Sequence, residues 1–288
     1  MPKIVFIVIV VTVLITSSLV SAQSVDAGRG ELPLTVPSSY SRDSSWPLIV
    51  LLHTYGRTGA IQEEYMGLAK LADSYGFIMV APDGTPSSAN NNPLFWNASR
   101  ACCNFDGREL DDSAYLANLI DEVKSAYRID PKRVYLIGHS NGAFMAHRMA
   151  HDHPAGIAAI ASLAGADQSV ERPTPSEPVH VLQIHGDADT TIAYEGGEIN
   201  GVVYPSAKQS VERWAERNGC ATAGVDSGRL DLDRSVAGME SIVTRYTTGC
   251  KPGGSTELWT IGGGAHIPEL SQHFTKLVVE WLLAHPKP

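Results

Sequence analysis

The stretch Val134-Tyr-Leu-Ile-Gly-His-Ser-Asn-Gly-Ala143 decides how this chain is read. Its first four residues have the apolar pattern of a buried strand, Gly138 breaks the run, and a helix-compatible segment follows Gly142. The five residues Gly138-His139-Ser140-Asn141-Gly142 form the pattern G-x-S-x-G. That spacing predicts a sharp strand-to-helix turn with the serine at its tip, held at a strained backbone angle. Glycine is needed two residues before and two after, because a side chain there would collide with the neighbouring strand or helix. The turn lifts the hydroxyl out of the sheet. It also aims the Asn141 N–H and the positive end of the helix at whatever the serine attacks. The pentapeptide alone arises by chance; a strand before it and a helix after it make it specific.

Working outward, residues 47–53, 77–81, 157–163 and 179–184 are short continuous apolar runs, the pattern of strands buried on both faces. Residues 242–246 and 257–261 read as late strands. The patch 32–36 contains Pro33 and reads as an early edge strand. Helical spacing covers 60–75, a segment from Asp111 or Asp112 to about Tyr127, then 142–150, 206–218 and 268–283. Strands alternating with helices predict an α/β fold: a mostly parallel central sheet with helices on both faces. One catalytic domain is expected over 23–288. In such sheets ligands bind outside the carboxyl ends of the strands. Residues 84–110 form a polar insertion, which Trp96, Cys102, Cys103 and Phe105 mark as ordered; it is expected to be the wall facing the serine.

A serine hydroxyl is a poor nucleophile until an imidazole takes its proton. His53, His139, His185 and His266 all lie at or just after strands. The α/β-hydrolase order, serine then acid then histidine, selects His266, in Gly262-Gly-Gly-Ala-His266. The run His185-Gly-Asp-Ala-Asp189 offers two carboxylates; Asp189 lies further along the loop and is expected to orient His266, while Asp187 is expected to cap the turn. The oxyanion hole needs two backbone N–H groups. Asn141 supplies one, and the loop after His53 the other, with Tyr55 the first choice and Thr54 the second. His53 is expected to order that loop. Tyr55, Trp96, His139 and Tyr194 are the expected substrate contacts, because aromatic rings near such a serine can stack on an acyl unit.

The chain has 288 residues, 43% of them apolar, and a formal net charge of −9. Lys3 followed by the apolar run 4–15 and by Val20-Ser-Ala22 predicts a signal peptide over 1–22, cut after Ala22. Cleavage removes Lys3 and deepens the charge to −10. An acidic exported protein would repel phosphates, which excludes nucleic acid as a partner, and no membrane association is expected after cleavage. Export makes disulfides plausible. Cys220 and Cys250 are expected to pair, leaving Cys102 and Cys103 as a vicinal disulfide or as thiols. No histidine stands at metal-ligand spacing to these cysteines, so neither metal nor cofactor is expected.

These residues carry a resemblance. The chain is similar to the esterases grouped with poly(3-hydroxybutyrate) depolymerases, which include feruloyl and acetylxylan esterase relatives. The matching pieces are Leu51-Leu-His53, Trp96-Asn-Ala98, Ala101-Cys-Cys-Asn104, Asp111-Asp112, Asp130-Pro-Lys-Arg-Val-Tyr135, Gly138 to Gly142, Ile184-His-Gly186 with Asp189, and Gly262-Gly-Gly264 with His266. The resemblance implies the triad Ser140, Asp189 and His266. It also implies departures: Thr54 stands where the family has glycine, and His151 and Pro173 stand near positions where relatives carry cysteines. Their joint loss supports the vicinal pairing of Cys102 with Cys103. The implied function is an exported serine esterase acting on a carboxylic ester, with polymers such as polyhydroxyalkanoate or another polyester first. Feruloylated or acetylated plant polysaccharide comes second. A peptidase of the same fold and a non-catalytic binding protein rank below both.

Overall fold

The computed structural model describes residues 23–89, 91–168 and 173–288; the expected signal segment 1–22 lies outside them. In chain order the elements are β1 (Ser24–Asp26), β2 (Glu31–Thr35), β3 (Trp46–Leu52), α1 (Gly59–Met66), α2 (Ala72–Tyr75), β4 (Ile78–Val80), β5 (Thr85–Pro86), β6 (Leu94–Phe95), α3 (Asp112–Ala126), β7 (Ile129–His139), α4 (Asn141–Asp152), β8 (Ala159–Leu163), β9 (His180–Gly186), β10 (Gly197–Ile199), β11 (Val202–Tyr204), α5 (Ala207–Arg217), β12 (Val225–Leu230), β13 (Ser241–Tyr246), β14 (Thr256–Ile261) and α6 (Phe274–Leu283). Ten strands form one sheet in the order β1-β2-β4-β3-β7-β8-β9-β14-β13-β12. Its six central strands run parallel, and antiparallel pairs finish both ends. This is the α/β-hydrolase arrangement.

The apolar runs alternate faces as strands must. Leu48, Val50 and Leu52 of β3 point into a core shared with Leu116 and Leu119 of α3, Phe144 and Met145 of α4 and Trp214 of α5. Ile49 and Leu51 point the other way, against Met66 of α1 and Phe274, Val278 and Trp281 of α6. Each fully buried side chain of this kind contributes roughly 1.5–3 kcal/mol. That layering fixes β3, β7, β8, β9 and β14 side by side, so their carboxyl ends form one edge.

Several expectations are revised. The single helix over 60–75 is interrupted at Gly67, whose φ of 69° ends α1; a tight turn at Leu68–Leu71 then leads into α2. The final helix starts at Phe274 rather than 268, because the preceding segment pairs with the chain near Leu232: Asp233 bridges Leu270, and the Ser271 N–H donates to Leu232 O. The Pro33 strand is not the edge, since β1 covers it. β1 and the strands of the β10–β11 hairpin are only three residues long, and β12 is mostly polar, so none is seen from pattern alone.

The insertion is more than a wall. It opens with the β5–β6 hairpin, and Trp96, Ala98, Ala101, Cys102 and Cys103 then join the main core. Cys102 is bonded to Cys103, and Cys220 to Cys250. His151 and Pro173 both line one cleft.

Candidate active site

The elbow takes the shape its glycines dictate. Ser140 has φ 53° and ψ −117°, a positive-φ conformation outside the allowed regions that no ordinary helix start needs. A Cβ on Gly138 would sit 2.1 Å from Gly142 O, and one on Gly142 would sit 2.2 Å from Leu52 O of β3. Only glycine allows the strand, the turn and the helix to approach this closely. The Ser140 N–H is tied to Leu163 O at 2.8 Å, which anchors the turn to β8.

The loops after β9 and β14 are held together before they reach the serine. Gly186 and Gly264 approach so closely that a Cβ on Gly186 would lie 2.1 Å from Gly264 O. The Gly263 N–H donates to Asp187 Oδ1 at 2.6 Å, and the Ala188 N–H to Gly264 O at 3.1 Å. Asp187 thus ties the two loops together. Asp189, two residues on, reaches the histidine. His266 Nδ1 lies 2.7 Å from Asp189 Oδ2, and His266 Nε2 lies 3.0 Å from Ser140 Oγ. With a carboxylate on its other side, Nδ1 must carry the proton, so Nε2 is free to accept from the serine hydroxyl.

Asp189 is buried and richly solvated by donors. The Thr191 and Ile192 N–H groups donate to Oδ1 at 2.8 and 2.9 Å. His185 Nε2 stands 3.2 Å from Oδ2. Burial alone would raise the carboxyl pKa; hydrogen bonds from His185 and His266, and the His266 charge, outweigh it and hold the group well below the usual carboxylate range. The acid therefore stays ionised and can stabilise an imidazolium.

The N–H groups of Asn141 and Tyr55 have no acceptor among the described residues. The Thr54 N–H is engaged by Gln62 Oε1 at 3.2 Å, so of the two candidates in that loop Tyr55 is the one with a free donor. His53 is buried and orders the loop. The Gly84 N–H donates to its Nε2 at 2.8 Å, and its Nδ1 then donates to Thr54 O at 2.8 Å. Burial lowers its pKa, in keeping with a neutral ring.

The four expected substrate contacts have different fates. Tyr55 is half-buried and meets Phe105 with ring centroids 5.5 Å apart. Trp96 is fully buried, with its indole N–H on His53 O at 3.1 Å, so it presents no surface to a ligand. Its backbone is clasped by the Asn141 side chain, which accepts from Trp96 N at 2.7 Å and donates to Trp96 O at 2.9 Å. His139 is buried too. Its Nε2 meets His266 O at 2.9 Å, its ring stacks on Tyr65, and burial drives its pKa down to about 4. Its place is behind the histidine loop. Tyr194 bonds Thr260 Oγ1 at 2.8 Å and packs edge-on against His185, on the acid's side of the site.

Sequence reasoning missed Tyr65, whose hydroxyl donates to Pro268 O at 2.7 Å; a contact across 203 residues leaves no local signal. It also missed Phe105 as a rim residue, exposed beside Tyr55. Among the described residues no cluster of histidine, cysteine or acidic side chains could hold a metal ion, and no helix is long and apolar enough to cross a membrane.

Residues 34–171 match the family described as Esterase PHB depolymerase. The chain is 29% identical over 234 residues to NocK of Nocardia uniformis subsp. tsuyamanensis, a provisional esterase, covering 76% of this chain and 64% of that protein. It is 27% identical over 240 residues to feruloyl esterase B of Piromyces equi, covering 80% of this chain and 41% of that protein. It is 32% identical over 130 residues to poly(3-hydroxyalkanoate) depolymerase C of Paucimonas lemoignei, covering 45% of this chain and 30% of that one. The chain thus spans less than two thirds of each relative's length. Among solved structures, acetyl xylan esterase from Aspergillus awamori aligns with a TM-score of 0.61 at 18% identity, over 90% of this chain and 98% of that one, a likeness of fold.

Proposed function

We propose that this chain, an α/β-hydrolase related to the Esterase PHB depolymerase family, is a serine esterase that cleaves carboxylic esters through an acyl-enzyme. The observation that carries the reading is the unbroken line from Ser140 Oγ through His266 to Asp189, at 3.0 and 2.7 Å. Ser140 Oγ attacks the ester carbonyl while His266 Nε2 takes its proton. The oxyanion settles on the free N–H groups of Asn141 and Tyr55. His266 then protonates the leaving alkoxide, and Asp189 stabilises the imidazolium without itself being protonated. Water repeats the cycle to release the acid.

One feature supports a bulky or apolar acyl group: Phe105 is exposed and packs against Tyr55, whose N–H is assigned to the oxyanion, and Ile267, which follows His266 in sequence, is exposed as well. We place hydroxyalkanoate or another polyester first, and feruloyl or acetyl esters of plant polysaccharide second, as the relatives' names divide. Export after cleavage at Ala22, leaving a single catalytic domain, completes the proposal; N-terminal sequencing of the exported protein checks it.

The test is a soluble aryl-ester series run beside hydroxyalkanoate polymer, aromatic polyester, and feruloylated and acetylated xylan. Ser140→Ala is expected to lower kcat by about 10⁶-fold and to abolish labelling by a fluorophosphonate. Unchanged turnover in that variant would refute Ser140 as the nucleophile, whereas a native protein that turns over no ester and takes no fluorophosphonate label would favour a binding protein.

A further inference from the structure

Behind Asp189 runs a chain of polar side chains that the acyl-transfer steps do not use. Trp214 Nε1 lies 3.0 Å from His147 Nδ1. His147 Nε2 lies 3.1 Å from Gln183 Oε1. Gln183 Nε2 lies 2.8 Å from Gly165 O and 3.2 Å from His185 Nδ1. His185 Nε2 lies 2.8 Å from Ile192 O and 3.2 Å from Asp189 Oδ2. Trp214, His147, Gln183 and His185 are all fully buried. A buried polar chain of this length costs desolvation at every link, so each link needs a partner of the right polarity.

The polarity can be worked out from both ends. An indole N–H only donates, so His147 Nδ1 accepts and its Nε2 carries the proton. That proton goes to Gln183 Oε1, which leaves the Gln183 amide group to donate. Gly165 O only accepts, which fixes the same orientation of the amide independently. Gln183 therefore donates to His185 Nδ1, and His185 carries its proton on Nε2. Ile192 O, again only an acceptor, requires the same. Burial keeps His147 neutral, with its pKa down at about 4, so the chain has one direction at working pH.

We propose that His185 is a positioning residue for the Ser140–His266–Asp189 set: the one-way chain Trp214→His147→Gln183 locks it as an Nε2–H donor, whose one hydrogen bonds Ile192 O at 2.8 Å and so holds the Asp189 loop, with the same nitrogen facing Asp189 Oδ2 at 3.2 Å. The backbone N–H groups of Thr191 and Ile192 hold the other oxygen. With Oδ1 held by two N–H groups and Oδ2 facing His185 Nε2 as well as His266, rotation of the carboxylate about its Cβ–Cγ bond is opposed, and the His266 ring is oriented with it. Without His185, Oδ2 would keep His266 as its one side-chain partner. The chain also connects the acid to α5, through Trp214, and to the turn after β8, through Gly165 O. The inference rests on the esterase reading of the site.

The test compares three substitutions at one position. Gln places an amide N–H near the imidazole Nε2 position, Asn reaches only to the Nδ1 position, and Phe keeps the ring shape with no donor. Positioning through Nε2–H predicts that His185→Phe and His185→Asn lower kcat about 10- to 100-fold, the cost of a small misplacement. KM should stay unchanged, and His185→Gln should remain within about threefold of the native enzyme. A packing role predicts the reverse ranking, with Phe mildest, and would overturn the proposal. Melting temperatures of the three variants separate loss of fold from loss of position. If a variant does not fold, histidine ¹⁵N NMR of the native protein decides: His185 is expected as the Nε2–H tautomer, and an Nδ1–H tautomer refutes the mechanism. Ser140→Ala is run alongside. Retained activity there would overturn the esterase reading, whereas its loss with the packing ranking at position 185 would overturn only this inference.

Discussion

His266 Nδ1 lies 2.7 Å from Asp189 Oδ2, and His151 Nε2 lies 2.8 Å from Asp167 Oδ1. By distance the two pairs are nearly the same, and both acids stand in loops at the carboxyl edge of the sheet. Their surroundings differ. Asp167 shares its second oxygen with Arg217 at 2.7 Å, and the His151 Nδ1 atom is buried with no partner among the described residues. Asp189 has no cation of its own beyond the imidazolium it would stabilise, and the far side of His266 meets a serine hydroxyl. An arginine satisfies a carboxylate permanently; an imidazole that protonates only during the reaction satisfies it when charge develops. The comparison teaches that a His–Asp distance alone does not identify a catalytic pair. What matters is whether the far ring nitrogen reaches a nucleophile and whether the acid is still free to respond.

The largest effect that could break this comparison is catalytic. Asp189→Asn is expected to lower kcat on a soluble aryl ester by about 10⁴-fold, since the amide can favour the wrong tautomer of His266. Asp167→Asn should leave kcat within a few-fold. Equal losses in both variants would mean that the His151 pair is coupled to the chemistry, and the division drawn here would fall.

The next effect is on stability, and it runs the other way. Asp167→Asn leaves Arg217 and His151 without their buried acceptor, and removing one partner of such a pair costs about 3–5 kcal/mol. Urea denaturation should show that loss for Asp167→Asn. A stability unchanged from the native protein would show that the Arg217–Asp167 pair is open to water.

Which parts of this were legible in the sequence follows from the range of the forces involved. The elbow, the two loops that carry Asp189 and His266, and the alternating strands were readable, because each is written in consecutive residues: glycines at fixed offsets and apolar runs of strand length. The roles of Trp96 and His139 were not. An aromatic residue near an elbow reads the same whether it lines a pocket or braces it. Only the Asn141 side chain closing on the Trp96 backbone, and His139 reaching His266 O across 127 residues, settle the matter. The choice of Asp189 over Asp187 drew on loop position, which is local, and Asp189 is the carboxylate that lies 2.7 Å from His266 Nδ1. The Gln183–His147–Trp214 chain was invisible because its partners come from three separate elements.

A smaller effect concerns acid. Two buried histidines titrate near 4: His139 and His147, each pushed down first by burial. Their folded pKa lies below the unfolded value of about 6.5. Between these values the unfolded chain binds protons that the folded chain refuses, so stability falls as pH drops from about 6.5 to about 4, by about 1.4 kcal/mol per unit for each histidine. Asp189 and Asp167, both held below the usual carboxylate range, add their own loss only below about 3.9, the ordinary aspartate value. His147→Gln should flatten the stability slope between pH 4 and 6.5 by about one proton. An unchanged slope would mean that His147 is already charged in the fold, and the one-way polarity of its chain would be lost with it.

The smallest expected effect lies at the rim, and it sharpens the comparison by asking what the catalytic pair faces. Phe105 is exposed and touches Tyr55, whose backbone N–H is assigned to the oxyanion. Removing the Phe105 ring leaves the triad and both N–H donors in place, so kcat for an acetyl aryl ester should barely change. A longer or aromatic acyl chain would lose stacking of about 0.5–1.5 kcal/mol, which corresponds to a KM increase of roughly 2- to 12-fold. Phe105→Ala therefore should separate substrates by acyl size, where Asp189→Asn should not. If KM stays flat across the acyl series, the acyl group does not lie along the Tyr55–Phe105 side, and Ile267, exposed and next in sequence to His266, becomes the next residue to test.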